Sequence, residues 1–361
     1  MFDAPPSLNF PSGSTLVEDV DEEIFLLYSR KQQLASTAAP GASTNASGLG
    51  SHSDKEGVLS LSLAIKDPWA AAAGSSDALG RVKGPRGSNS KKGKEKEEVT
   101  VDVELHQALD ALRHRKGDTG SVLWRVSLHL ATYLLTTHHL PSPTSPPLFP
   151  SLSSSSILEL GSGTGFLGLA LRSIFASLPS EAASKGKRRD KSTQEEGKPS
   201  SPSWTFSDQL ASLPLVVRNL RANGVDSSPS FAVEELDWLA ESALFLKDRS
   251  PLSSSSSSCS NPPPDLIIAA DCIYNPSLSA PLAHTILRHS GPDTVVVVAS
   301  ELRDEEPLEV FLRAWVEEGG QRWRVVRAGW ETEGERKGAG ELEGGQYVVW
   351  VGWQQREGEE E

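Results

Sequence analysis

The run Ile157-Leu158-Glu159-Leu160-Gly161-Ser162-Gly163-Thr164-Gly165 joins three predicted elements of the fold. Its apolar residues, interrupted by one Glu, are typical of a short buried strand. Its alternating glycines are typical of a turn that lets the backbone approach a ligand. The residues that follow, Phe166–Phe175, have apolar side chains at helical spacing. We therefore predict a strand, a glycine-rich loop and a helix, with backbone N–H groups of the loop facing a bound molecule.

Glycine loops of this kind also bind dinucleotides, whose fingerprint places the third glycine three residues after the second. Here the third glycine, Gly165, comes two residues after Gly163, and Phe166 stands at the dinucleotide position. The carboxylate of Glu159 would repel a pyrophosphate but would pair with the amino group of a methionine moiety. We expect S-adenosylmethionine as the cofactor, and a plain turn without a ligand is the alternative.

After the glycine loop the apolar pattern alternates between strands and helices, which is typical of a parallel sheet covered on both faces. Six further strands are predicted at residues 204–207, 231–236, 266–270, 294–300, 323–328 and 347–353, with helices at 213–223, 279–289 and 305–318. The last two strands lack a helix between them and must therefore pair antiparallel. The predicted fold class is α/β, with a seven-stranded, mostly parallel Rossmann-like sheet that ends in an antiparallel hairpin.

Upstream of the glycine loop the patterns are shorter. Apolar side chains of the segment 122–134 share one helical face, which predicts a helix covering the sheet. Residues 58–65 and 99–105 alternate apolar and polar side chains, which predicts a small accessory β region, and residues 19–27 resemble an acidic-capped helix start. We expect an accessory region at 1–99, an S-adenosylmethionine-dependent domain at 100–353 and an acidic tail at 354–361.

Much of the 361-residue chain is too polar and too simple to fold, so a single core is expected. Stretches rich in Ser, Pro, Gly or Lys predict solvated, disordered insertions at residues 36–56, 74–98, 141–156, 179–203 and 251–264. The net charge of −13 argues against a general nucleic-acid binder and suits a basic polypeptide partner, although solubility explains it equally well.

Several classes of protein are disfavoured by what the sequence lacks. The spacing of Cys259 and Cys272 suggests neither a disulfide nor a metal site, no histidine stands at metal-ligand spacing, and no Gly-x-Ser-x-Gly elbow occurs. No apolar run is long enough for a bilayer, and no basic segment precedes an apolar one. We expect no metal and no membrane, and a cytoplasmic location; the basic cluster at 185–191 leaves a nuclear signal open.

In an α/β sheet, ligands lie beyond the carboxyl ends of the strands, so the residues that close each strand are site candidates. Asp208 closes the second strand, where its carboxylate could bind both hydroxyls of a ribose or cap a helix. Asp237 and Trp238 close the third, and the indole could cover an adenine or pack in the core. Asp271 and Tyr274 follow the fourth strand and are expected to face the mouth of the cofactor site.

Asp271 and Tyr274 are the catalytic candidates. Methyl transfer to an amine is an in-line displacement, so a protein has to aim the nitrogen and strip the lysine of its proton. Desolvation favours loss of that proton, and water can carry it away. Asp271 would then orient the ammonium, and Tyr274 would offer an aromatic wall to the channel. The alternative for Asp271 is a loop cap.

These motifs resemble those of the seven-strand methyltransferases of the methyltransferase-like lysine methyltransferase family. The matching stretches are 119–124, 158–165, 207–209, 213–219, 236–238 and 265–274, the last with the family's D-x-x-Y spacing. Within that family the chain is most similar to the fungal ribosomal lysine N-methyltransferases, through its acidic segment 18–23, the strand region before residue 117 and the terminal strand 347–353.

The resemblance implies roles for individual residues. It places Trp124, Gly161, Ser162, Gly163, Asp208, Trp238 and Ala270 around S-adenosylmethionine. It further implies that the acceptor is a lysine of a large-subunit ribosomal protein, with the ribosome as partner. Two alternatives stay open: the same reaction on a chaperone ATPase or a translation elongation factor, and an inactive binding protein with this fold.

Overall fold

A computed structural model gives the three-dimensional structure of the chain. It describes residues 2, 4–37, 51–53, 55–65, 99–114, 119–142, 146–149, 155–175, 203–249, 262–320, 322–329 and 346–355. The predicted insertions and the acidic tail fall wholly or partly outside these residues, as does the segment 330–345 between the last two strands. The predicted division into three regions stays a prediction.

The described residues form one large sheet and a separate two-stranded sheet. The strands are β1 (Thr15–Leu16), β2 (Val58–Ile65), β3 (Val99–His106), β4 (Ser156–Leu160), β5 (Ser203–Asp208), β6 (Phe231–Glu235), β7 (Leu266–Ala270), β8 (Val295–Glu301), β9 (Trp323–Arg327) and β10 (Tyr347–Gln354). The large sheet has the order β1-β9-β10-β8-β7-β4-β5-β6, and β2 pairs only with β3. All seven strands predicted for the main sheet are present, and the accessory β region is confirmed.

Five strands of the large sheet, from β6 to β8 in the spatial order, are mutually parallel. The predicted antiparallel hairpin of β9 and β10 is also confirmed, but β10 lies between β9 and β8 and pairs antiparallel with both. The count of seven strands was one short, because β1 adds an eighth at the edge beside β9. A strand of two residues is too short to show a period in the sequence.

Helices cover the large sheet on both faces. They are α1 (Val20–Thr37), α2 (Leu109–His114), α3 (Arg125–His139), α4 (Phe166–Phe175), α5 (Leu213–Ala222), α6 (Trp238–Asp248), α7 (Pro276–His289) and α8 (Glu305–Leu312), followed by a π-helical turn at Arg313–Glu317. The predicted helix after Asp19 is α1, and the Asp19 side chain accepts a hydrogen bond from the Glu22 N–H at 2.8 Å, as an N-terminal cap does. The helix predicted over 122–134 begins later, at Arg125.

Helix α6 was missed by the sequence analysis, and its packing explains why. Its inward face is polar: the Ser242 hydroxyl lies 2.7 Å from His284 Nδ1, and Glu241 accepts a hydrogen bond from Arg288 on α7 at 3.0 Å. Its leucines point outward instead, and the Leu239 residue is 55% exposed. The pattern is the reverse of the apolar inner stripe by which a surface helix is recognised.

Alternate residues of the central strands feed two separate apolar cores. In β8, Val295 and Val297 belong to the core beneath α3, α4 and α5, whereas Val296 and Val298 belong to the core beneath α1, α7 and α8. A sheet buried on both faces reads as a continuous apolar run, as the four valines of β8 do. No helix among the described residues is long and apolar enough to cross a membrane.

Candidate active site

A cavity of about 430 Å³ opens at the carboxyl ends of β4, β5 and β7. This is the edge of the sheet where α/β proteins bind ligands, and the volume lies in the range of small-molecule sites. All ten residues predicted for the site line it: Trp124, Glu159, Gly161, Ser162, Gly163, Asp208, Trp238, Ala270, Asp271 and Tyr274. The structure therefore brings together every predicted site residue, while their roles stay predictions.

The glycine loop after β4 adopts a backbone that only glycine accepts without strain. Gly161 and Gly163 have φ angles of +62° and +54°. A Cβ on Gly161 would stand 2.7 Å from Cys272 Sγ and 3.2 Å from the Trp238 ring, and one on Gly163 would stand 3.1 Å from the Gly120 carbonyl oxygen. The loop therefore cannot carry side chains at these two positions, because neighbouring segments pack against it.

The loop N–H groups do not point outward as predicted. The Ser162 N–H donates to the Ser207 carbonyl at 3.0 Å, and the Gly163 N–H donates to Asp208 Oδ2 at 2.8 Å. The Gly165 N–H donates to the Ser162 carbonyl at 2.7 Å. The expectation that these groups face the ligand was wrong for Ser162, Gly163 and Gly165. Their N–H groups instead donate hydrogen bonds within the protein, which stabilise the loop and hold Asp208.

Glu159 lies beneath the loop and is buried. Its Oε2 accepts a hydrogen bond of 2.8 Å from the indole Nε1 of Trp204 on the neighbouring strand. Burial raises the pKa of Glu159 to about 8, although the Trp204 hydrogen bond lowers it and Asp208 raises it further. This carboxyl is therefore protonated over much of the neutral range unless a cation approaches it.

Asp208, Trp124 and Trp238 also line the cavity. Besides the bond from Gly163, Asp208 Oδ1 accepts one from the Gln209 N–H at 2.7 Å. Trp238 begins α6, where the side chain of Asp237 accepts the Leu239 N–H at 2.9 Å and so caps the helix. Trp124 immediately precedes α3, and both rings are partly buried beside the cavity.

The Asp271–Tyr274 turn follows Ala270, the last residue of β7. Asp271 is the one non-glycine residue with a positive φ, 59°, within the described part of the chain. Both of its carboxylate oxygens accept hydrogen bonds from Arg303, at 3.0 and 2.6 Å, and its side chain is 1% exposed. Burial raises the pKa of Asp271 and Arg303 opposes the rise. In this arrangement the carboxylate contacts Arg303 rather than the open cavity.

Tyr274 lies half-buried at the wall, and a side-chain hydrogen bond joins it to Thr119; burial raises its pKa. Arg303 was not recognised from the sequence. It stands two residues beyond the end of β8, a strand without a predicted site residue, and its only signal was the position after a buried strand. Within the described residues, no group of three or more His, Cys, Asp or Glu side chains could hold a metal ion.

A family of lysine methyltransferases matches this chain over residues 104–184 and 195–316, more than half of its length. The chain belongs to that family. The family assignment supports S-adenosylmethionine as the cofactor, as predicted from the sequence. The fold class predicted from the sequence agrees with this assignment.

The chain is also similar to a curated protein described as diaminohydroxyphosphoribosylamino-pyrimidine deaminase, from Schizosaccharomyces pombe. The two are 29% identical over 212 residues, which cover 58% of this chain and 41% of the relative. The match thus spans about two fifths of that protein.

Solved methyltransferase structures share a distant likeness with the chain. The CurJ carbon methyltransferase is 15% identical with a TM-score of 0.34, covering 64% of this chain and 54% of the other. TrmN from Thermus thermophilus is 16% identical with a TM-score of 0.33, at 62% and 48% coverage. Human N-acetylserotonin methyltransferase, solved with SAM, is 13% identical with a TM-score of 0.32, at 63% and 52%. Likenesses of this size carry no argument about function.

Proposed function

We propose that this protein is an S-adenosylmethionine-dependent protein-lysine N-methyltransferase that acts in the cytoplasm on a lysine of a large-subunit ribosomal protein. One observation carries the proposal. The D-x-x-Y turn at Asp271–Tyr274 and the glycine loop at Gly161–Gly163 line the same cavity, in a chain that belongs to a lysine methyltransferase family. The ribosomal acceptor rests on the sequence resemblance described above.

The cavity suits S-adenosylmethionine by the chemistry of its wall. Asp208 offers a carboxylate for the ribose hydroxyls, held in place by the Gly163 N–H at 2.8 Å. The Trp238 ring packs close above Gly161, where it can cover a planar adenine. Glu159 is available to the amino group of the methionine part, and a cation there would drive the carboxyl to its charged form. Trp124, Ser162 and Ala270 complete the lining.

The residues of the chain have limited work to do in the transfer itself. A bound S-adenosylmethionine supplies a sulfonium methyl group, so that a carbon–nitrogen bond forms while the carbon–sulfur bond breaks. The lysine nitrogen has to arrive neutral and aligned, which the desolvated cavity favours, and its proton leaves to water. Tyr274 offers an aromatic wall at the mouth. Asp271 shapes the turn that carries Tyr274, and Arg303 donates a hydrogen bond to each of its carboxyl oxygens.

Two features support a polypeptide as the acceptor. Apolar residues are exposed here: Leu239 lines the cavity and is 55% exposed, and Leu210, which is 64% exposed, lies in the chain between the lining residues Gln209 and Ala211. A protein surface with an apolar residue beside its lysine could cover both. The net charge of −13 favours a basic partner, and ribosomal proteins are of that kind.

The test is a methylation assay on ribosomes. Purified protein is incubated with methyl-labelled S-adenosylmethionine and ribosomes from cells that lack this gene, and the label is located by mass spectrometry. We expect one labelled large-subunit protein with the wild type and none with the cavity variant Asp208→Ala.

Other patterns of label would change the proposal. If ribosomes stay unlabelled while a whole lysate shows one labelled protein elsewhere, the ribosomal acceptor is wrong and the methyltransferase stands. If no protein is labelled, although S-adenosylmethionine raises the melting temperature, the acceptor class itself has to be abandoned.

A further inference from the structure

Arg303 lies behind the wall of the cavity and contacts three groups at once. Its Nη1 and Nη2 donate to the two oxygens of Asp271 at 3.0 and 2.6 Å, and Nη2 also donates to Glu301 Oε2 at 2.9 Å. The guanidinium lies over the Trp124 ring, 5.2 Å from its centroid. Among the amino acids, only arginine has a planar cation that can bind both oxygens of a carboxylate and also lie on an aromatic face.

The first of these contacts holds a strained turn. Asp271 has the left-handed φ of 59° that a side chain rarely adopts, and such a backbone persists only where the surroundings over-determine it. Two contacts hold the backbone of Asp271 in this conformation. The Asp271 N–H donates to the Ala299 carbonyl at 2.8 Å, and the side chain is gripped by Arg303. Tyr274, three residues on, takes its place from this turn.

The contact with Trp124 reaches a second segment of the wall. The indole Nε1 of Trp124 donates to the Thr119 carbonyl at 2.7 Å, and a side-chain hydrogen bond joins Thr119 to Tyr274. A continuous series of contacts therefore leads from Asp271 through Arg303 and Trp124 to Thr119. Thr119 contacts Tyr274, which belongs to the same turn as Asp271. The series connects the segment before α3 to the turn after β7, two pieces of the wall that are far apart in the chain.

We propose that Arg303 is a positioning residue of the active site, which holds Trp124 and the Asp271–Tyr274 turn in fixed places at the wall of the cavity. The proposal rests on the proposed function, since the cavity that it shapes is the cofactor site. It assigns Asp271 to the support of the wall, in partnership with Arg303. A lysine at 303 could neutralise Asp271 but could neither bridge both oxygens nor stack on Trp124 in the same geometry.

The test compares Arg303→Lys, Arg303→Met and the double variant Arg303→Met/Asp271→Asn. S-adenosylhomocysteine binding is measured by calorimetry, and stability is measured by thermal unfolding. Arg313→Lys is the matched control, because Arg313 is a half-buried arginine that pairs with Asp21, Glu309 and Glu317, none of which lines the cavity.

We expect Arg303→Lys to weaken S-adenosylhomocysteine binding about tenfold and Arg313→Lys to leave it unchanged. Arg303→Met should be the least stable variant, because it leaves Asp271 buried without a partner. The double variant should regain melting temperature but not affinity. A residue that merely neutralised a buried charge would let the double variant recover both.

Two results would overturn the inference: affinities of Arg303→Lys and of the double variant within twofold of the wild type, or recovery of affinity together with stability in the double variant. Failure of the proposed cofactor site looks different, since the wild type itself would then bind no S-adenosylhomocysteine, and failure of the proposed acceptor would leave these affinities unchanged.

Discussion

Replacing Glu159 with Gln should change how the stability of the protein depends on pH. The Gln side chain keeps an acceptor for the Trp204 indole but cannot ionise. In the folded protein burial raises the pKa of Glu159 from 4.5 to about 8. Between those values the folded state holds a proton that the unfolded state releases, so wild-type stability falls as the pH rises through this window.

The size of the effect follows from the same shift. Each pH unit within the window costs the wild type about 1.4 kcal/mol relative to a residue that cannot ionise. From pH 6 to pH 8 the free energy of unfolding of the wild type should therefore fall by about 2 kcal/mol relative to Glu159→Gln, because titration slows as the pH nears the folded pKa. In a domain of this size, that corresponds to roughly 4–8 °C in melting temperature.

Thermal unfolding of both proteins across pH 6–8 measures this difference directly. Glu235→Gln is the matched control, since Glu235 is an exposed residue at the end of β6, two strands away from β4, and the variant should follow the wild type at every pH. A constant difference between wild type and Glu159→Gln over the whole range would refute the reasoning, because Glu159 would then be charged in the folded state.

Three further variants probe the cavity. Gly161→Ala should destabilise the fold by about 1–3 kcal/mol and weaken S-adenosylhomocysteine binding, because its Cβ would lie 2.7 Å from Cys272 Sγ. Gly224→Ala is the control, since Gly224 also has a positive φ but no atom within 4 Å of the added Cβ. This control should lower stability and leave the affinity unchanged. Asp208→Asn should lower S-adenosylhomocysteine affinity about tenfold in calorimetry at little cost in melting temperature, and unchanged affinity would remove Asp208 from the ribose site. Tyr274→Phe should reduce the turnover number about fivefold through loss of the Thr119 bond while affinity stays within twofold; equal turnover would exclude the phenol.

The sequence predicted the parts of the molecule in which local chemistry and tertiary structure agree. The strand, glycine loop and helix from Ile157 to Phe175 occur as predicted, because a buried strand, a turn that needs positive φ and an apolar helix each leave a strong local pattern. The position of Asp208 and Asp271 at strand ends followed from topology alone. Their convergence on one cavity needed only the strand order.

Features that depend on contacts with residues distant in the chain could not be predicted from the sequence. Helix α6 carries its leucines outward because its inner face is joined to α7 by polar contacts such as Ser242 with His284, and no local pattern announces that. Arg303 looks like any surface arginine until the fold places it against Asp271 and Trp124. The loop N–H groups were assigned outward because the sequence does not show that the Ser207 carbonyl and Asp208 accept them.

The reaction proposed for this cavity is the transfer of a methyl group to lysine. It is tested most directly by hydrolysing the protein labelled from methyl-labelled S-adenosylmethionine to its amino acids and identifying which amino acid carries the label. We expect labelled Nε-methyl-lysine with the wild type and a strong loss of it with Asp208→Asn. Label on another kind of residue, or equal labelling by the wild type and Asp208→Asn, would contradict the account.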